Sequence, residues 1–223
     1  MDVRHFLEQR LLFVSQLYTN SAASFVEKKR MIEAEEAPYV PPYSEDDGEP
    51  PFLAEWLEAE ASLQVLGHAC VSMLSASFHL YFKATERQLR VSAGKKYKSI
   101  FKRGWFHGYK AYFRGEFNVV FEDSQCNLDL LEELVIARNR VQHPESITSH
   151  STHYSEGDLK RLHSPIFIDP RDSELFSEQE EGERSWLMPP AIHVTPEKFL
   201  SAVSEVRRFT EWLERPTSWP QQN

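Results

Sequence analysis

The sequence predicts an all-α fold, a bundle of four to five helices joined by long loops. Two observations support this prediction. Long segments place apolar side chains three and four residues apart, which is the spacing of an amphipathic helix. Capping residues and prolines stand at the ends of these segments. A chain of 223 residues is expected to form one domain, 1–223.

Composition narrows the class of protein. Hydrophobic residues make up 41% and charged residues 26%, as in a soluble globular protein, so a largely disordered chain is excluded. Cys70 and Cys126 are too few for a disulfide framework, and the charged start MDVRHFLEQR is not that of a signal peptide. The longest apolar run, residues 63–82, is interrupted by polar side chains, so no membrane span is expected. We therefore expect a cytoplasmic protein.

Two helices are predicted in the first 90 residues. The first covers about residues 3–36, with a kink near Asn20. An acidic, proline-rich loop follows at 37–52, because prolines interrupt any helical period there. The second helix covers residues 53–90 and shows the strongest helical period in the chain.

The second predicted helix carries two histidines on its polar face. His68 and His79 are three turns apart, which is too far for them to share a metal ion. We expect both side chains to be exposed to solvent; the alternative is that they line a groove or a dimer seam.

Residues 95–114 form a basic segment whose composition differs from that of the rest of the chain. Its aromatic side chains recur at every fourth position, as in a helix, and are Tyr97, Phe101, Trp105, Tyr109 and Phe113. Its basic side chains are Lys95, Lys96, Lys98, Lys102, Arg103, Lys110 and Arg114. We expect an aromatic core stripe with a solvated basic back. Since the net charge is −9, this segment is where the chain is expected to bind RNA, such as a transfer RNA.

The stretch ELVIARNRVQHPESI predicts the end of an amphipathic helix. Asn127 or Ser124 is expected to cap this helix, which ends at His143 because a proline follows. Arg138 falls near the middle of the apolar face, where a guanidinium needs a partner or a task. One interpretation pairs it with a carboxylate of another helix. The candidate carboxylates are Glu55, Glu58 and Glu60.

The other interpretation of Arg138 is chemical. Asn139 and His143 are four residues apart on one helix face, and the long Arg138 side chain can swing toward them. Arg138 can bind a phosphate and stabilise a pentavalent transition state. His143 can exchange a proton with a ribose hydroxyl or a leaving oxygen, and Asn139 can orient the imidazole or a ribose. No metal is needed. Because one helix offers a single acid-base group, two copies facing each other would complete the site.

Two regions remain after this helix. Residues 145–194 are predicted to form a long loop insertion, in which SPIFID and AIHV are candidate short strands. Three histidines of this insertion match no tetrahedral spacing, so neither a metal site nor a cofactor is expected. The last helix is expected to follow Thr195 as cap and Pro196 as first residue. Its predicted buried stripe is Phe199, Val203, Val206, Phe209 and Leu213.

The run RNRVQH, residues 138–143, resembles the Arg-x4–6-His signature of HEPN domains, in the form with asparagine directly after arginine. The resemblance implies a HEPN-like helical bundle and a metal-independent endoribonuclease, acting as a toxin or a phage-defence effector. It also implies that Arg138 binds the phosphate, Asn139 orients the reacting groups and His143 transfers protons. These residues would form a composite site across a homodimer. An antitoxin or other regulatory protein is a further implied partner. Val141 stands where the subset modified by nucleotidyltransferase antitoxins has a tyrosine.

The alternative to a nuclease is a non-catalytic module. A HEPN-like helical bundle can bind RNA or a nucleotide, or dock a partner protein, without cutting. In this alternative His143 contributes nothing to RNA affinity, whereas in the nuclease it is essential for cleavage.

Overall fold

The structure is a computed structural model that describes residues 2–42, 49–90, 96–143, 151–162, 164–169, 172 and 189–215. Within these residues the chain is helical and contains no strand, which confirms the all-α prediction. The helices are, in chain order, α1 (Val3–Glu33), α2 (Leu53–Leu89), α3 (Lys98–Phe101), α4 (Trp105–Phe117), α5 (Leu128–Gln142), α6 (Glu156–Leu159) and α7 (Pro196–Leu213). Because α3 and α6 have four residues each, five long helices make up the bundle.

Helix α2 is the central element. Helix α1 packs along it, α5 and α7 contact it and each other, and α4 crosses onto both α2 and α5. The core between them is aromatic. Phe82 of α2 stacks on Tyr109 of α4 at 4.7 Å between ring centroids, and Phe121 packs edge-on against Phe209 of α7 at 4.8 Å. Such ring pairs add specific geometry to the burial of apolar area, so they fix how the helices cross.

The predicted helix ends agree with the structure at most positions. The Asn127 side chain accepts the Leu130 amide hydrogen at 3.0 Å and caps α5, and Thr195 caps α7 by accepting from Lys198 at 3.3 Å. All five residues of the predicted α7 stripe are buried. Helix α1 runs from Val3 to Glu33 and so ends three residues before the predicted end; the kink near Asn20 stays a prediction.

The predicted polar face of α2 is wrong in part. His68 is buried, and its Nε2 lies 2.9 Å from the carbonyl oxygen of Ile192. His79 is half-buried, whereas the apolar Met73 and Leu80 are exposed. Because α1, α5 and α7 each cover part of α2, the residues that it buries are set by three neighbours. A single apolar arc read from the sequence cannot reproduce that pattern.

Helix α2 also bears on the expectation of no membrane span. Among the described residues, it is long and apolar enough to cross a membrane by length and composition alone. In this structure 56% of its most apolar 18-residue window is buried inside the protein, as in the core helix of a soluble protein. The absence of a membrane partner stays a prediction.

The basic segment forms two helices because Gly104 interrupts it. Gly104 has φ 135°, a conformation that favours glycine, and it separates α3 from α4. The ring of Phe101 folds back onto Gly108, where an added Cβ would lie 2.4 Å from the ring. Tyr97 and Tyr109 are buried, and the segment packs its aromatic side chains inward. The predicted aromatic core stripe is confirmed.

The two candidate strands of the loop insertion do not form within the described residues. A single antiparallel bridge joins His153 to Ala191, and the His193 amide donates to the carbonyl of Phe167 at 2.9 Å. The amides of Ile166 and Phe167 donate to the buried carboxylate of Glu133. These amides are therefore not available to a neighbouring strand.

Candidate active site

The Arg-Asn-His motif lies where α5 leaves the core. Buried residues continue on every side of the helix up to Ala137, and exposure begins at the next residue. Arg138 is half-buried, and Asn139 and His143 are exposed. The expectation that Arg138 is buried on an apolar face is thus wrong. The apolar period continues in the sequence, but the last turn is covered only in part, by α6 on the side of Arg140.

Arg138 is held by its neighbour and not by a carboxylate. Its Nη1 donates a hydrogen bond to Oδ1 of Asn139 at 2.9 Å, so the guanidinium does swing toward that residue as predicted. Within the described residues no acidic side chain forms an ion pair with it. The remaining N–H groups of the guanidinium therefore point to other partners or to solvent.

The interpretation of Arg138 as a structural ion pair is wrong for the described residues. Glu58 pairs with Lys28 at 2.9 Å, and Glu60 pairs with Lys29. The charge of Arg138 instead acts on His79, which is nineteen residues beyond Glu60 on α2. At 1.5 Å per residue this separation is about 28 Å, which no arginine side chain can span.

Arg140, two residues further on, has a structural partner. Its Nε donates to Oδ2 of Asp158 at 2.6 Å, and the same oxygen accepts from the backbone and hydroxyl of Ser155. Asp158 is buried and belongs to the capping box of α6. The two arginines of the motif therefore differ in kind, since Arg140 fastens α6 to α5 and Arg138 faces outward.

Glu133 is a buried carboxylate that the sequence analysis did not single out. It is 1% exposed and accepts the hydroxyl of Tyr154 at 2.6 Å and the amides of Ile166 and Phe167 at 2.8 and 2.7 Å. Burial raises the pKa of this carboxyl, and the three hydrogen bonds oppose that shift. Glu133 thereby ties the loop insertion to the buried half of α5.

A second imidazole, that of His79, is held between α2 and α4. The ring of His79 stacks on the indole of Trp105 at 4.6 Å with an interplanar angle of 6°. Burial, followed by the positive charges of Lys83 and Arg138, lowers the pKa of His79 to about 4. This imidazole is therefore neutral at pH 7. The sequence gives no signal for this neighbourhood because its members come from α2, α4 and α5.

The basic segment divides into paired and unpaired cations, and Lys95 lies outside the described residues. Lys96 pairs with Glu116, and Lys110 with Glu122, each at 2.8 Å. Four basic side chains are exposed and form no ion pair with a described residue. They are Lys98, Lys102, Arg103 and Arg114. The predicted solvated basic back is thus confirmed for four positions.

Two of the unpaired cations are close in sequence to the tryptophan that stacks on His79. Lys102 and Arg103 occupy the turn between α3 and α4, which leads directly into Trp105 and thus to His79. A Cβ at Gly104, in the same turn, would lie 3.8 Å from Nη2 of Arg161. The turn before α4 therefore lies near Arg161, which pairs with Glu132 of α5 at 2.6 Å.

His143 ends α5 without a side-chain partner among the described residues. Its amide donates to the carbonyl of Arg140 at 3.2 Å, and its imidazole is exposed. Within the described part of the chain, no hydrogen bond joins it to Asn139, whose side-chain oxygen accepts from Arg138 instead. Pro144, expected to end the helix, lies outside the described residues.

The described residues contain no group of three or more His, Cys, Asp or Glu side chains placed to hold a metal ion. Of the histidines in the loop insertion, His150 and His163 lie outside the described residues. Cys70 and Cys126 are free thiols, as predicted.

Comparison with known proteins finds no family model, no curated protein and no solved structure that matches this chain. The motif and its surroundings in the fold are therefore the basis on which a function is proposed.

Proposed function

We propose that the protein is a metal-independent endoribonuclease of the HEPN type, which cleaves RNA through the ribose 2′-hydroxyl. One observation carries the proposal: Arg138 stands half-exposed at the end of a helix, held by Asn139, with no described carboxylate neutralising it. A guanidinium kept in place by one neutral acceptor retains four N–H donors, and the planar fork that it presents fits a phosphate.

The charge around Arg138 supports an anionic substrate. Lys83 of α2 is exposed, and its charge and that of Arg138 both lower the pKa of His79. Lys102 and Arg103 add positive charge in the turn before Trp105. In a chain with net charge −9, such a local concentration of cations favours RNA binding at this end of the bundle. A structured RNA such as a transfer RNA is the proposed substrate.

In the proposed reaction the ribose 2′-oxygen attacks the adjacent phosphorus and the bond to the 5′-oxygen breaks. Arg138 stabilises the charge that builds on the phosphoryl oxygens. His143 of one protomer gives a proton to the leaving 5′-oxygen, and His143 of the second copy takes the proton of the attacking 2′-hydroxyl. Asn139 fixes the guanidinium, as its hydrogen bond supports, and its amide group also remains available to a ribose. The products carry a 2′,3′-cyclic phosphate and a 5′-hydroxyl.

A homodimer and a role as toxin or defence effector are part of the proposal. Support for a second copy comes from exposed apolar side chains on α1 and α2, which are Phe6, Phe13, Met73 and Leu80. Three of them line a shallow cleft of about 410 Å³. An exposed apolar patch of this kind is typical of a protein–protein interface. An antitoxin or regulatory protein is a proposed partner that growth assays in the presence of neighbouring genes would reveal.

A non-catalytic RNA-binding or partner-docking module is the second candidate. The observation that favours it is the position of His143, whose imidazole forms no hydrogen bond with Arg138 or Asn139 in the described part of the chain. A binding site needs the cations alone, whereas cleavage needs the imidazole beside the scissile phosphate.

The test is cleavage of labelled total RNA and transfer RNA by the purified protein in excess EDTA. Arg138→Ala and His143→Ala are the test variants, and Gln142→Ala, exposed on the same turn, is the control for local perturbation. We expect cleavage by the wild type and by Gln142→Ala, with cyclic-phosphate ends, and at least 100-fold slower cleavage by the two folded test variants. RNA binding without cleavage by the wild type would establish the non-catalytic module instead.

A further inference from the structure

The loop insertion contributes a short basic segment whose backbone is fixed. Helix α6 ends at Leu159, and the two residues that follow it, Lys160 and Arg161, are exposed. The next residue, Leu162, is buried and belongs to the core. The amides of Arg161 and Leu162 both donate to the carbonyl of Asp158, at 3.0 and 3.1 Å. The two basic side chains therefore extend from a turn that is held by hydrogen bonds and by a buried leucine.

Two side-chain contacts place this segment on α5, and one of them is made inside the motif. Oδ2 of Asp158 accepts from Nε of Arg140, a motif residue, at 2.6 Å. Nη2 of Arg161 donates to Oε1 of Glu132 at 2.6 Å. Arg140 and Glu132 are eight residues apart, which is about 12 Å along the helix axis at 1.5 Å per residue. The segment thus lies along α5, with Asp158 at the end of the helix that carries the motif.

A second pair of cations adjoins Arg161. A Cβ at Gly104 would lie 3.8 Å from Nη2 of Arg161, so the turn between α3 and α4 packs near this guanidinium. Lys102 and Arg103, which are exposed, occupy that turn. Exposed cations from two separate parts of the chain therefore converge on one region of the surface. We call this region the basic patch, and its members are Lys102, Arg103, Lys160 and Arg161.

The acidic side chains next to the basic patch are largely engaged by other groups. Oε1 of Glu132 accepts from Arg161 and also lies 2.9 Å from Nε2 of His107, while Asp158 is already bound to α5. Glu156, the other carboxylate of α6, is exposed. Within the described residues Arg161 uses only Nη2 on a protein partner, so the rest of its guanidinium can bind a phosphate oxygen. The basic patch therefore carries excess positive charge in a chain with net charge −9.

We propose that the loop insertion is part of the RNA-binding surface, and that Lys160 and Arg161 bind backbone phosphates that flank the cleaved one. The inference rests on the proposed ribonuclease function, of which it uses the binding of RNA. Lysine and arginine contacts to phosphates position a nucleic acid without reading its sequence. Arg161 is held at Glu132, six residues before Arg138 on α5, which is about 9 Å along the axis. A separation of that size fits two different phosphates of one strand, so the scissile phosphate is left to Arg138.

The loop insertion then contributes to affinity and not to the chemical step. Contacts to a flanking phosphate are the same in the ground state and in the transition state, so their loss raises KM and leaves kcat unchanged. The effect also requires that the substrate have flanking phosphates. A dinucleotide with a single phosphate should therefore be cleaved equally well with and without the two cations.

The experiment compares two double variants that remove the same charge. Lys160→Gln with Arg161→Gln is the test, and Lys28→Gln with Arg208→Gln is the control. Lys28 pairs with Glu58 near the start of α2, and Arg208 pairs with Glu205, which binds the amide of the α5 cap. Neither control residue is therefore at the motif end of α5.

Binding of a labelled transfer RNA is measured in excess EDTA across a salt series, with His143→Ala present in every protein so that no RNA is cut. We expect the test variant to bind about 3- to 10-fold more weakly and to release up to about two fewer ions on binding. The control should weaken binding by less than about 2-fold. With His143 restored, the test variant should keep wild-type kcat on transfer RNA and the wild-type rate on a dinucleotide.

Lys160→Gln alone separates binding from stability, because Lys160 forms no ion pair with a described residue. We expect this variant to unfold in urea as wild type does and to bind RNA about 2-fold more weakly. Wild-type affinity in the test variant would overturn the proposal and leave the ribonuclease function intact. Slower cleavage of the dinucleotide would overturn it as well, since the segment would then act by positioning α5. If the wild type binds RNA without cutting it and the test variant binds more weakly, the proposal holds for the non-catalytic module. Failure of the wild type to bind RNA would remove both.

Discussion

Charged side chains differ in burial and in hydrogen-bond partners between the buried half of α5 and its last turn. Glu133 is 1% exposed, and its carboxylate accepts hydrogen bonds from Tyr154 and from two backbone amides. Arg138, five residues later, is half-exposed and donates to Asn139. A charge that serves the fold is surrounded by matched partners, because an unpaired buried charge is costly. A charge with a single neutral partner remains available to a ligand.

The same contrast separates two arginines of the last turns. Arg140 is bound by the buried carboxylate of Asp158 at 2.6 Å, whereas Arg138 has no ion-pair partner among the described residues. Residue type and sequence position are nearly the same for both. Only the surrounding fold distinguishes the arginine that stabilises the structure from the one whose guanidinium stays available to a ligand.

The largest expected effect comes from exchanging the two arginines for alanine one at a time. Arg138→Ala should lower cleavage by a factor of about 10² to 10³, equivalent to about 2.7–4 kcal/mol of transition-state stabilisation, and should leave unfolding almost unchanged. Arg140→Ala should lower the free energy of unfolding by about 1–2 kcal/mol and still cleave RNA. Rates in EDTA and urea unfolding curves measure the two effects. The contrast fails if both variants lose stability and activity together.

The next effect tests the buried half of α5. Glu133→Ala leaves the Tyr154 hydroxyl and two backbone amides without their acceptor, so we expect a loss of about 3 kcal/mol in the free energy of unfolding. Glu58→Ala, which removes an exposed pair with Lys28, is the control and should lose less than about 1 kcal/mol. Equal losses in the two variants would mean that the loop insertion contributes little to stability.

The fold was predictable from the sequence where the signal is local. Helical period, the caps Asn127 and Thr195, and the stripe of α7 depend on residues close in the chain, and the structure confirms them. The interior of α2 was predicted less well, since three helices decide which of its residues are buried. The two candidate strands depend on pairing, and Glu133 binds the amides that pairing would use.

The candidate site was predictable to the same extent. Arg138 was singled out by its position on an apolar period, and its contact with Asn139 follows from adjacency. His79 was placed on a solvent-exposed face, although it stacks on Trp105. The two residues are 26 positions apart in the chain. No periodicity within one helix reports contacts of that range.

A third, smaller effect concerns the pH dependence of stability and the neutral imidazole of His79. The folded protein holds the pKa of His79 at about 4, whereas the unfolded chain takes up the proton near 6.5. Between these values the unfolded state binds more protons, so the free energy of unfolding falls as pH falls from about 6.5 to about 4. We expect the total fall in the free energy of unfolding across this window to be smaller in His79→Gln, by on the order of 2 kcal/mol. His5→Gln, at an exposed position, should keep the wild-type slope.

The smallest effect extends the contrast to the basic segment. Lys102→Ala with Arg103→Ala removes two cations that have no described ion pair and lie in the turn before Trp105. Lys96→Ala with Lys110→Ala removes two that are already paired with Glu116 and Glu122. Both double variants change the net charge by the same two units, so any long-range repulsion of RNA is matched between them.

The position and pairing of the cations should then decide the outcome. We expect the first double variant to bind RNA about 3- to 10-fold more weakly. The slope of the binding constant against salt concentration should also show up to about two fewer ions released on binding. The second should weaken binding by less than about 2-fold, because a lysine already paired with a carboxylate neutralises little phosphate charge and releases few counterions from the RNA. Filter binding across a salt series measures both quantities. Equal weakening would show that RNA responds to the whole charged surface, and the distinction between paired and unpaired side chains would then apply to α5 alone.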